Sequence, residues 1–198
     1  MAADRPDPQA WLVRHGETEW SRLGRHTGRT DVPLTDDGRD QARSLGRRLA
    51  GRRFEAVMTS PLVRAAETAS LAGFGDVVTQ DADLREWDYG ALEGRRSTDI
   101  QVDYPGWSIW TGPWPEGETV DEVGQRADQV IERIRAVDGD VLVFAHGHLL
   151  RVLAARWLDL PARLGSALML STATLSIVGR DRGNAVIEIW NEACHLES

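Results

Sequence analysis

The chain has 198 residues, 41% of them hydrophobic and 27% charged, which is enough for one domain with a sizeable core. Its 23 basic and 31 acidic residues give a formal net charge of -8, which argues against the basic face of a nucleic-acid-binding protein. The single cysteine, Cys194, cannot form an internal disulfide, so a reducing compartment is favoured. Residues 1–10 lack the apolar core of a signal peptide, and no later run is long enough to span a bilayer. We therefore expect a cytoplasmic protein with neither a membrane nor a nucleic-acid partner, folded as a single domain over residues 1–198 with a flexible tail at 1–9.

In the first half of the chain, short apolar runs alternate with amphipathic segments. Trp11–Val13 is predicted to be a buried strand that ends in a polar turn containing glycine. Thr35 is predicted to cap a helix over 36–50, because hydrophobic residues recur there at helical spacing. The elements that follow are a strand over 54–59, a helix that has Pro61 in its first position and runs to Ala72, and a strand near 77–79.

The second half of the chain begins with a segment, 104–117, that is dense in Pro, Gly and Trp and is predicted to be a long ordered loop. Thr119 and Glu122 match a capping box that opens a helix to about residue 137. The remaining predicted elements are a central strand at 141–145, a helix at 147–158, and a strand pair at 173–178 and 185–190. Strands that alternate with helices predict an α/β fold, a three-layer α/β/α sandwich around a mostly parallel sheet.

Two polar side chains follow the first predicted strand at its carboxyl end. Arg14 and His15 come directly after the apolar run, and Gly16 then allows a turn. Ligands bind at this edge in open α/β sheets. A guanidinium matches phosphate oxygens bidentately, and a neutral imidazole can act as a nucleophile. The segment therefore indicates phosphoryl chemistry, although a solvated Arg-His pair at a strand end is an equally ordinary interpretation.

Three more candidate groups lie at the ends of predicted elements. Arg64 is in the first turn of a helix, where the helix N-terminus and the guanidinium both favour an anion. Glu86 stands beside Trp87, and His146 follows the central strand as His15 follows the first. Each signal alone is weak, because a single Arg or Glu usually lies on a solvated surface. His146 and His148 have no third ligand at a suitable spacing, so no metal site is predicted.

Taken together, these motifs resemble those of the histidine phosphatase superfamily, in its phosphoglycerate-mutase-like branch, over nearly the whole chain. Within that branch the chain is most similar to short bacterial acid phosphatases and fungal sedoheptulose-1,7-bisphosphatase. The resemblance implies a phosphoglycerate-mutase-like fold and catalysis without a metal or another cofactor. The matching segments are Arg14–Gly16, Ser60–Pro61 with Arg64 and Glu67–Thr68, Glu86 with Gly90 and Glu93–Gly94, and His146–Gly147.

The resemblance also implies a role for each matching residue. His15 corresponds to the nucleophile that becomes phosphohistidine, and Glu86 to the proton donor for the leaving oxygen. Arg14, Arg64 and His146 correspond to the pocket that holds the phosphoryl group. Two arginines and a histidine can stabilise the charge of the transition state without a metal. Arg14 beside His15 also disfavours the imidazolium form, which keeps the nucleophile neutral.

A second set of residues is expected to bind the rest of the substrate. The family usually has an asparagine where this chain has Ser21, whose hydroxyl reaches less far toward a phosphate oxygen. Thr27 and Gly28 match the family's substrate-contacting Thr-Gly pair. The other expected substrate-binding residues are His26, Trp87, Asp88, Tyr89, Gly147 and His148, with Glu118 as a further hydrogen-bonding group.

Glu86 has to be protonated in order to act as an acid. Its neighbour Trp87 can exclude water and favour the protonated form, whereas nearby arginines favour the carboxylate. We therefore expect the best activity on the acid side of neutral pH.

Two segments allow a functional and a structural interpretation. The rings of Trp107, Trp110 and Trp114 could form a wall or lid over the leaving group, or a hydrophobic cap on a long loop. The apolar stretch 168–170 is compatible with an interface in a homodimer or with a core contact.

Phosphohistidine at His15 can be attacked by water, which gives a phosphatase, or by a second hydroxyl, which gives a mutase. Mutases of this family carry longer insertions and tails that close the site against water, and this chain is compact. We therefore expect a metal-independent phosphomonoesterase for a small phosphorylated metabolite, such as a sugar phosphate or bisphosphate. The alternatives are a phosphoglycerate mutase, a protein phosphatase and a non-catalytic binding protein on the same fold.

Overall fold

The computed structural model describes residues 8–196, and within this range the chain forms a six-stranded sheet between two layers of helices. The strands are β1 (Ala10–Arg14), β2 (Ala56–Thr59), β3 (Thr79–Gln80), β4 (Val141–Ala145), β5 (Leu175–Asp181) and β6 (Asn184–Glu192). The α-helices are α1 (Glu19–Arg22), α2 (Asp36–Leu49), α3 (Val63–Ala69), α4 (Ser97–Asp103), α5 (Val120–Arg135) and α6 (Gly147–Trp157). The predicted sandwich is confirmed.

The sheet has the strand order β3-β2-β4-β1-β5-β6. The first four strands in this order are parallel, whereas β5 pairs antiparallel with β1 and β6 antiparallel with β5. Arg14 at the end of β1 pairs with Ala145 at the end of β4. The residues that follow these two strands, His15 and His146, therefore emerge side by side at the carboxyl edge of the sheet.

Alternate residues of the two central strands face opposite helical layers. Leu12 and Val143 belong to the core cluster that includes α5 and α6. Trp11, Val13 and Phe144 belong to the cluster that includes α2 and α3. Burial on both faces explains why the central strands are apolar at every position.

The start of α3 differs from the prediction. Pro61 is not in its first turn, because Ser60 still donates its backbone N–H to Phe144 O at 2.9 Å and so extends the pairing of β2. The helix begins at Val63, whose N–H donates to the Asp31 carboxylate at 2.7 Å. A side chain 32 residues away thus caps this helix.

Other boundaries are also corrected. After α3 the chain continues in a π-helical turn, Ser70–Phe74, that includes Gly73 at φ 93°. The third strand lies at Thr79–Gln80 rather than 77–79. Both α1 and α4 were missed, because a helix of one or two turns has too few residues to show a period.

Most of the predicted tail, residues 1–7, lies outside the described residues. At its end the prediction is wrong, because Gln9 donates its backbone N–H to Asp140 Oδ1 at 3.0 Å and accepts from Val141 N–H at 2.9 Å. Between residues 8 and 196, none of the helices combines the length and apolar character required to cross a membrane.

Two glycines let the loop after β1 lie directly on α2. A Cβ at Gly38 would collide with the Glu17 carbonyl oxygen, and a Cβ at Gly16 would collide with the Gly38 carbonyl oxygen. The backbone that carries His15 is therefore in contact with the first turn of α2.

We expect Gly38→Ala to lower the free energy of unfolding by about 1–3 kcal/mol, because the collision outweighs the roughly 1 kcal/mol that alanine gains in a helix. Urea denaturation measures this change. The neighbouring exposed position supplies the control, since Asp37→Ala should cost less than about 1 kcal/mol. A stabilised Gly38→Ala variant would show that the close contact is absent.

Candidate active site

His15 is a buried imidazole, 4% exposed, at the carboxyl end of β1. Its backbone N–H donates to Ala145 O at 3.0 Å, and its carbonyl accepts from Ala173 N–H at 3.0 Å. Its ring Nδ1 lies 2.7 Å from the Gly16 carbonyl, which can only accept, so Nδ1 carries the proton. Nε2 then holds the lone pair of a neutral ring, as a nucleophile requires.

Burial lowers the pKa of His15 well below its ordinary value of 6.5, and the positive charges of Arg64 and Arg14 lower it further. The expected effect of Arg14 is thus confirmed in direction, although burial is the larger cause. His15 is neutral at neutral pH.

Arg14 lies against the first residue of α6. Its Nη1 donates to Leu170 O at 2.6 Å, whereas its buried Nε has no hydrogen-bond partner. A Cβ at Gly147 would come within 3.2 Å of Arg14 Nε, so only glycine leaves this group unobstructed. Arg14 therefore offers a desolvated donor beside His15.

Arg64 and His146 lie behind His15 rather than in the open cavity. The rings of His15 and His146 are 5.2 Å apart, and Arg64 Nε donates to His146 Nδ1 at 3.2 Å. Carbonyls of residues 27, 28 and 30 accept three more N–H groups of Arg64, so four of its five are engaged. His146 Nε2 is paired with Ser60 Oγ at 2.7 Å. Neither side chain is among the residues that line the open cavity, so their expected contacts with the phosphoryl group stay a prediction. The charge of Arg64 also lowers the pKa of His15.

The Glu86 carboxylate is 5% exposed and is held by three backbone N–H groups. Oε1 accepts from Trp87 N at 2.9 Å and Leu149 N at 2.9 Å, and Oε2 accepts from His148 N at 3.0 Å. Two of these donors are in the first turn of α6, where the helix dipole favours a negative charge. Glu86 is thus fixed at the amino end of α6.

A cavity of about 190 Å³ opens over these groups. Of the predicted site residues, it is lined by Arg14, His15, Ser21, His26, Thr27, Glu86, Tyr89, Gly147 and His148. The Ser21 hydroxyl donates to Thr18 O at 2.9 Å in the capping box of α1, which occupies its proton. The prediction of a contact from Ser21 to phosphate is thereby weakened.

The far wall of this cavity consists of neutral rings. Tyr89 Oη lies 2.6 Å from His148 Nδ1, and the His26 ring packs on Tyr89 at 4.8 Å. Burial lowers the pKa of His26 to about 4 and the pKa of His148 well below 6.5, and it raises the pKa of Tyr89 well above 10. Uncharged donors and acceptors of this kind suit the hydroxyl groups of a substrate.

Four residues that are predicted to contact the substrate do not line this cavity and have other partners, so their contacts with the substrate stay predictions. Trp87 is fully buried and donates its indole N–H to Glu118 O at 2.7 Å. Asp88 forms an ion pair with Arg29 at 3.2 Å, and the Glu118 carboxylate is paired with Arg126 at 2.8 Å. Gly28 donates its N–H to the Glu93 carboxylate and is buried.

Gly24, Arg25, Arg151 and Leu170 also line the cavity and were missed. Arg151 stacks over Trp110 at 4.6 Å and donates to Gly165 O at 3.1 Å. Its spacing of three residues from His148 on a predicted helix was a usable signal. Within the stretch 168–170, Leu170 is a buried site residue and Met169 is 74% exposed, so a homodimer interface stays a prediction.

The three tryptophans of segment 104–117 do not line this cavity. Trp107 donates its indole N–H to Pro113 O at 2.9 Å, and Trp114 donates to Ile109 O at 2.7 Å, which favours the structural interpretation. Two of the rings contact residues that line the cavity: Trp107 contacts His26 at 5.3 Å, and Trp110 contacts His148 at 5.5 Å as well as Arg151. Trp110 therefore supports two residues of the cavity wall from behind.

Across residues 8–196, no three His, Cys, Asp or Glu side chains are grouped so that they could hold a metal ion. Cys194 is exposed and unpaired with another cysteine.

Acidification should destabilise the folded protein. His15, His26, His146 and His148 have lowered pKa values, so the unfolded chain binds more protons below pH 6.5 and stability falls as the pH drops. Each contributes up to about 1.4 kcal/mol per pH unit. In urea titrations between about pH 6 and 5, His26→Gln should make this slope shallower by roughly 1 kcal/mol per pH unit. An unchanged slope would show that folding does not lower the pKa of His26.

Trp110→Ala should raise KM for phosphorylated substrates several-fold, because it removes the ring that supports His148 and Arg151. Trp114→Ala is the matched control and should lower stability while leaving the ranking of substrates unchanged. Steady-state kinetics on both variants measure the difference. Equal kinetics for the two variants would exclude a role of Trp110 in the cavity wall.

Comparisons with known proteins agree with this geometry. An acid phosphatase of Mycobacterium tuberculosis is 42% identical over 176 residues, 87% of this chain and 86% of that protein. A sedoheptulose 1,7-bisphosphatase of Saccharomyces cerevisiae is 36% identical over 77% of this chain and 68% of its own length. A probable phosphoglycerate mutase of Erwinia tasmaniensis is 31% identical over 96% of this chain and 95% of its own length.

The solved structure of an open-reading-frame product of Mycobacterium tuberculosis superposes with a TM-score of 0.88 at 39% identity, covering 93% of this chain and 97% of that one. The sequence model of the Histidine phosphatase superfamily (branch 1) matches residues 10–193. Relatives at this identity and coverage, a family match over nearly all of the described residues and the carboxyl-edge histidine site agree, and the chain therefore belongs to the histidine phosphatase superfamily.

Proposed function

We propose that this chain hydrolyses a small phosphomonoester through a phosphohistidine at His15. The observation that carries the proposal is the contact of the buried His15 ring with Gly16 O, at 2.7 Å from Nδ1, which favours the neutral tautomer with the lone pair on Nε2. The partnerless Nε of Arg14 lies beside it, and Glu86 lines the same cavity.

In the first step, the lone pair of His15 Nε2 attacks phosphorus and the bond from phosphorus to the leaving oxygen breaks. Protonated Glu86 donates its proton to that oxygen, so the product leaves as a neutral alcohol. Arg14 donates to the equatorial oxygens, where the negative charge of the transition state is spread. The phosphorylated ring becomes cationic, and Nδ1–H stays on Gly16 O.

In the second step, water attacks the phosphohistidine. The Glu86 carboxylate takes a proton from this water, the bond from Nε2 to phosphorus breaks, and inorganic phosphate leaves. His15 returns to its neutral form and Glu86 to its protonated form, so the cycle closes. The three amide donors on Glu86 support the carboxylate that this step needs.

The substrate we propose is a sugar phosphate or bisphosphate of modest size. The cavity of about 190 Å³ has the volume of roughly six water molecules. Arg25 and Arg151 add two cations beyond Arg14, so a second anionic group on the substrate would be balanced. His26, Tyr89 and His148 supply hydrogen bonds for hydroxyl groups.

Hydrolysis is favoured over mutase activity by the exposure of the cavity mouth. Gly24 and Arg25 line the cavity and are exposed, so water can reach the phosphohistidine from this side. Mutase activity would require the product to stay bound while water is excluded.

The experiment measures phosphate release from sugar phosphates, bisphosphates and phosphoglycerates, with a chelator present because the proposed reaction uses no metal. Wild-type protein should release phosphate, and His15→Ala should lose at least about 10³-fold in kcat, because no covalent intermediate can form. Quenching of a reaction with labelled substrate in alkaline detergent, where the acid-labile P–N bond survives, should trap phosphate on the wild-type protein alone.

His26→Ala is the matched control, since it removes an imidazole from the same cavity and should change KM more than kcat. Activity that survives in His15→Ala would contradict the proposal. Interconversion of 2- and 3-phosphoglycerate without net phosphate release would identify a mutase instead.

A further inference from the structure

A partly buried guanidinium outside the cavity is hydrogen-bonded to the chain segment that carries Glu86. Arg126 projects from α5, and its side chain is 13% exposed. Its Nη1 donates to Asp83 O at 2.7 Å and to Arg85 O at 2.6 Å, and its Nη2 lies 3.4 Å from Glu86 O. The carbonyls of three residues in the segment 83–86 therefore converge on one side chain.

The same guanidinium is paired with Glu118, just before α5. Arg126 Nε donates to Glu118 Oε1 at 3.0 Å and Nη2 to Oε2 at 2.8 Å, a bidentate arrangement. We call these two residues the Glu118–Arg126 clamp. The capping box of Thr119 and Glu122 orders the chain between them, so the two ends of the clamp have a defined separation.

Glu118 is hydrogen-bonded to the two residues that follow Glu86. Its Oε2 accepts from Asp88 N at 2.8 Å, its backbone N–H donates to Asp88 O at 2.9 Å, and its carbonyl accepts the Trp87 indole N–H at 2.7 Å. The residues before Glu86 are thus bound to Arg126 and the residues after it to Glu118. Hydrogen bonds therefore hold the backbone in place on both sides of Glu86.

We propose that the Glu118–Arg126 clamp is a positioning device for Glu86, which sets the carboxyl group within reach of the leaving oxygen. This inference rests on the proposed function, in which Glu86 supplies the proton. The three amides on the Glu86 carboxylate orient its oxygens only while the backbone keeps its place relative to α6. An error of about 1 Å in such a group can cost on the order of 10²-fold in rate.

A lysine could not replace Arg126, because its single ammonium cannot span a carboxylate and carbonyls in one plane. Glu118 would be left with an uncompensated buried charge if Arg126 were removed. Both effects would move the backbone at Glu86 while leaving His15 and Arg14 in place, since neither contacts the clamp.

The test compares leaving groups through kcat/KM, which reports the steps up to phosphohistidine formation. Glycerol 3-phosphate needs a proton on its alkoxide, whereas p-nitrophenyl phosphate expels a stable phenolate without one. In Arg126→Gln and Glu118→Gln, kcat/KM should fall about 10- to 100-fold for glycerol 3-phosphate and less than about threefold for p-nitrophenyl phosphate. Arg126→Lys should recover only a small part of the loss.

Arg156→Gln is the matched control. Arg156 forms a bidentate pair of the same geometry with Asp128 of α5, at 2.8 and 3.0 Å, but bonds to no residue of the Glu86 segment. It should change kcat/KM for both esters by less than about threefold. Should Arg126→Gln fail to fold, Glu118→Gln provides the same measurement, because it keeps the volume of the side chain.

Glu86→Gln separates the two hypotheses. It should show the same dependence on the leaving group, in a stronger form. Equal losses on both esters in the clamp variants, or no loss, would overturn the inference while a selective Glu86→Gln effect leaves the proposed function standing. A Glu86→Gln variant without such dependence would overturn the proton-donor role and the inference with it.

Discussion

The arrangement depends on keeping one imidazole buried and neutral beside two guanidinium groups. His15 has to remain unprotonated at Nε2, and burial together with Arg64 and Arg14 lowers its pKa for that purpose. Two cations near a buried base repel each other, so both need acceptors. Arg64 donates hydrogen bonds to His146 and to the carbonyls of residues 27, 28 and 30, and Arg14 donates one to the Leu170 carbonyl. The two arginines that keep His15 neutral thus also position the surrounding loops through their hydrogen bonds.

The carboxyl edge of the sheet brings opposite charges together without pairing them. The N-terminus of α6 holds the Glu86 carboxylate through His148 N and Leu149 N, and Gly147 in the same turn leaves space for Arg14. One helix end therefore contacts both the Glu86 carboxylate and the Arg14 guanidinium and keeps them apart. A chain with a net charge of -8 can in this way present a locally basic cavity to an anionic substrate.

Aromatic rings pack behind one wall of the cavity. Trp87 and Trp110 meet edge to face at 5.7 Å, and His148 and Arg151 pack on Trp110. Because the indole N–H groups of Trp87, Trp107 and Trp114 donate to backbone carbonyls, these three rings carry no unsatisfied N–H into the core. Their contribution is rigidity behind the polar groups that face the substrate.

The sequence by itself predicted the order of the described strands and of the helices α2, α3, α5 and α6, the family, and the candidate catalytic residues His15, Arg14 and Glu86. Local sequence patterns predict these features: apolar periodicity, capping boxes and the residue types that follow each strand. The resemblance to a known family added their roles.

Only the tertiary structure decided where the long side chains point. Asp31 caps α3, and Arg64 donates hydrogen bonds to the backbone of the loop at residues 27–30. Trp87 points away from the cavity and donates to Glu118 O, and the Glu118 carboxylate pairs with Arg126. Each partner is set by packing between segments that are far apart in the chain or, for Glu118 and Arg126, eight residues apart, and backbone propensity carries no information about it. Arg151 joins the site for the same reason, because the carbonyls of 165 and 166 and the Trp110 ring hold it there.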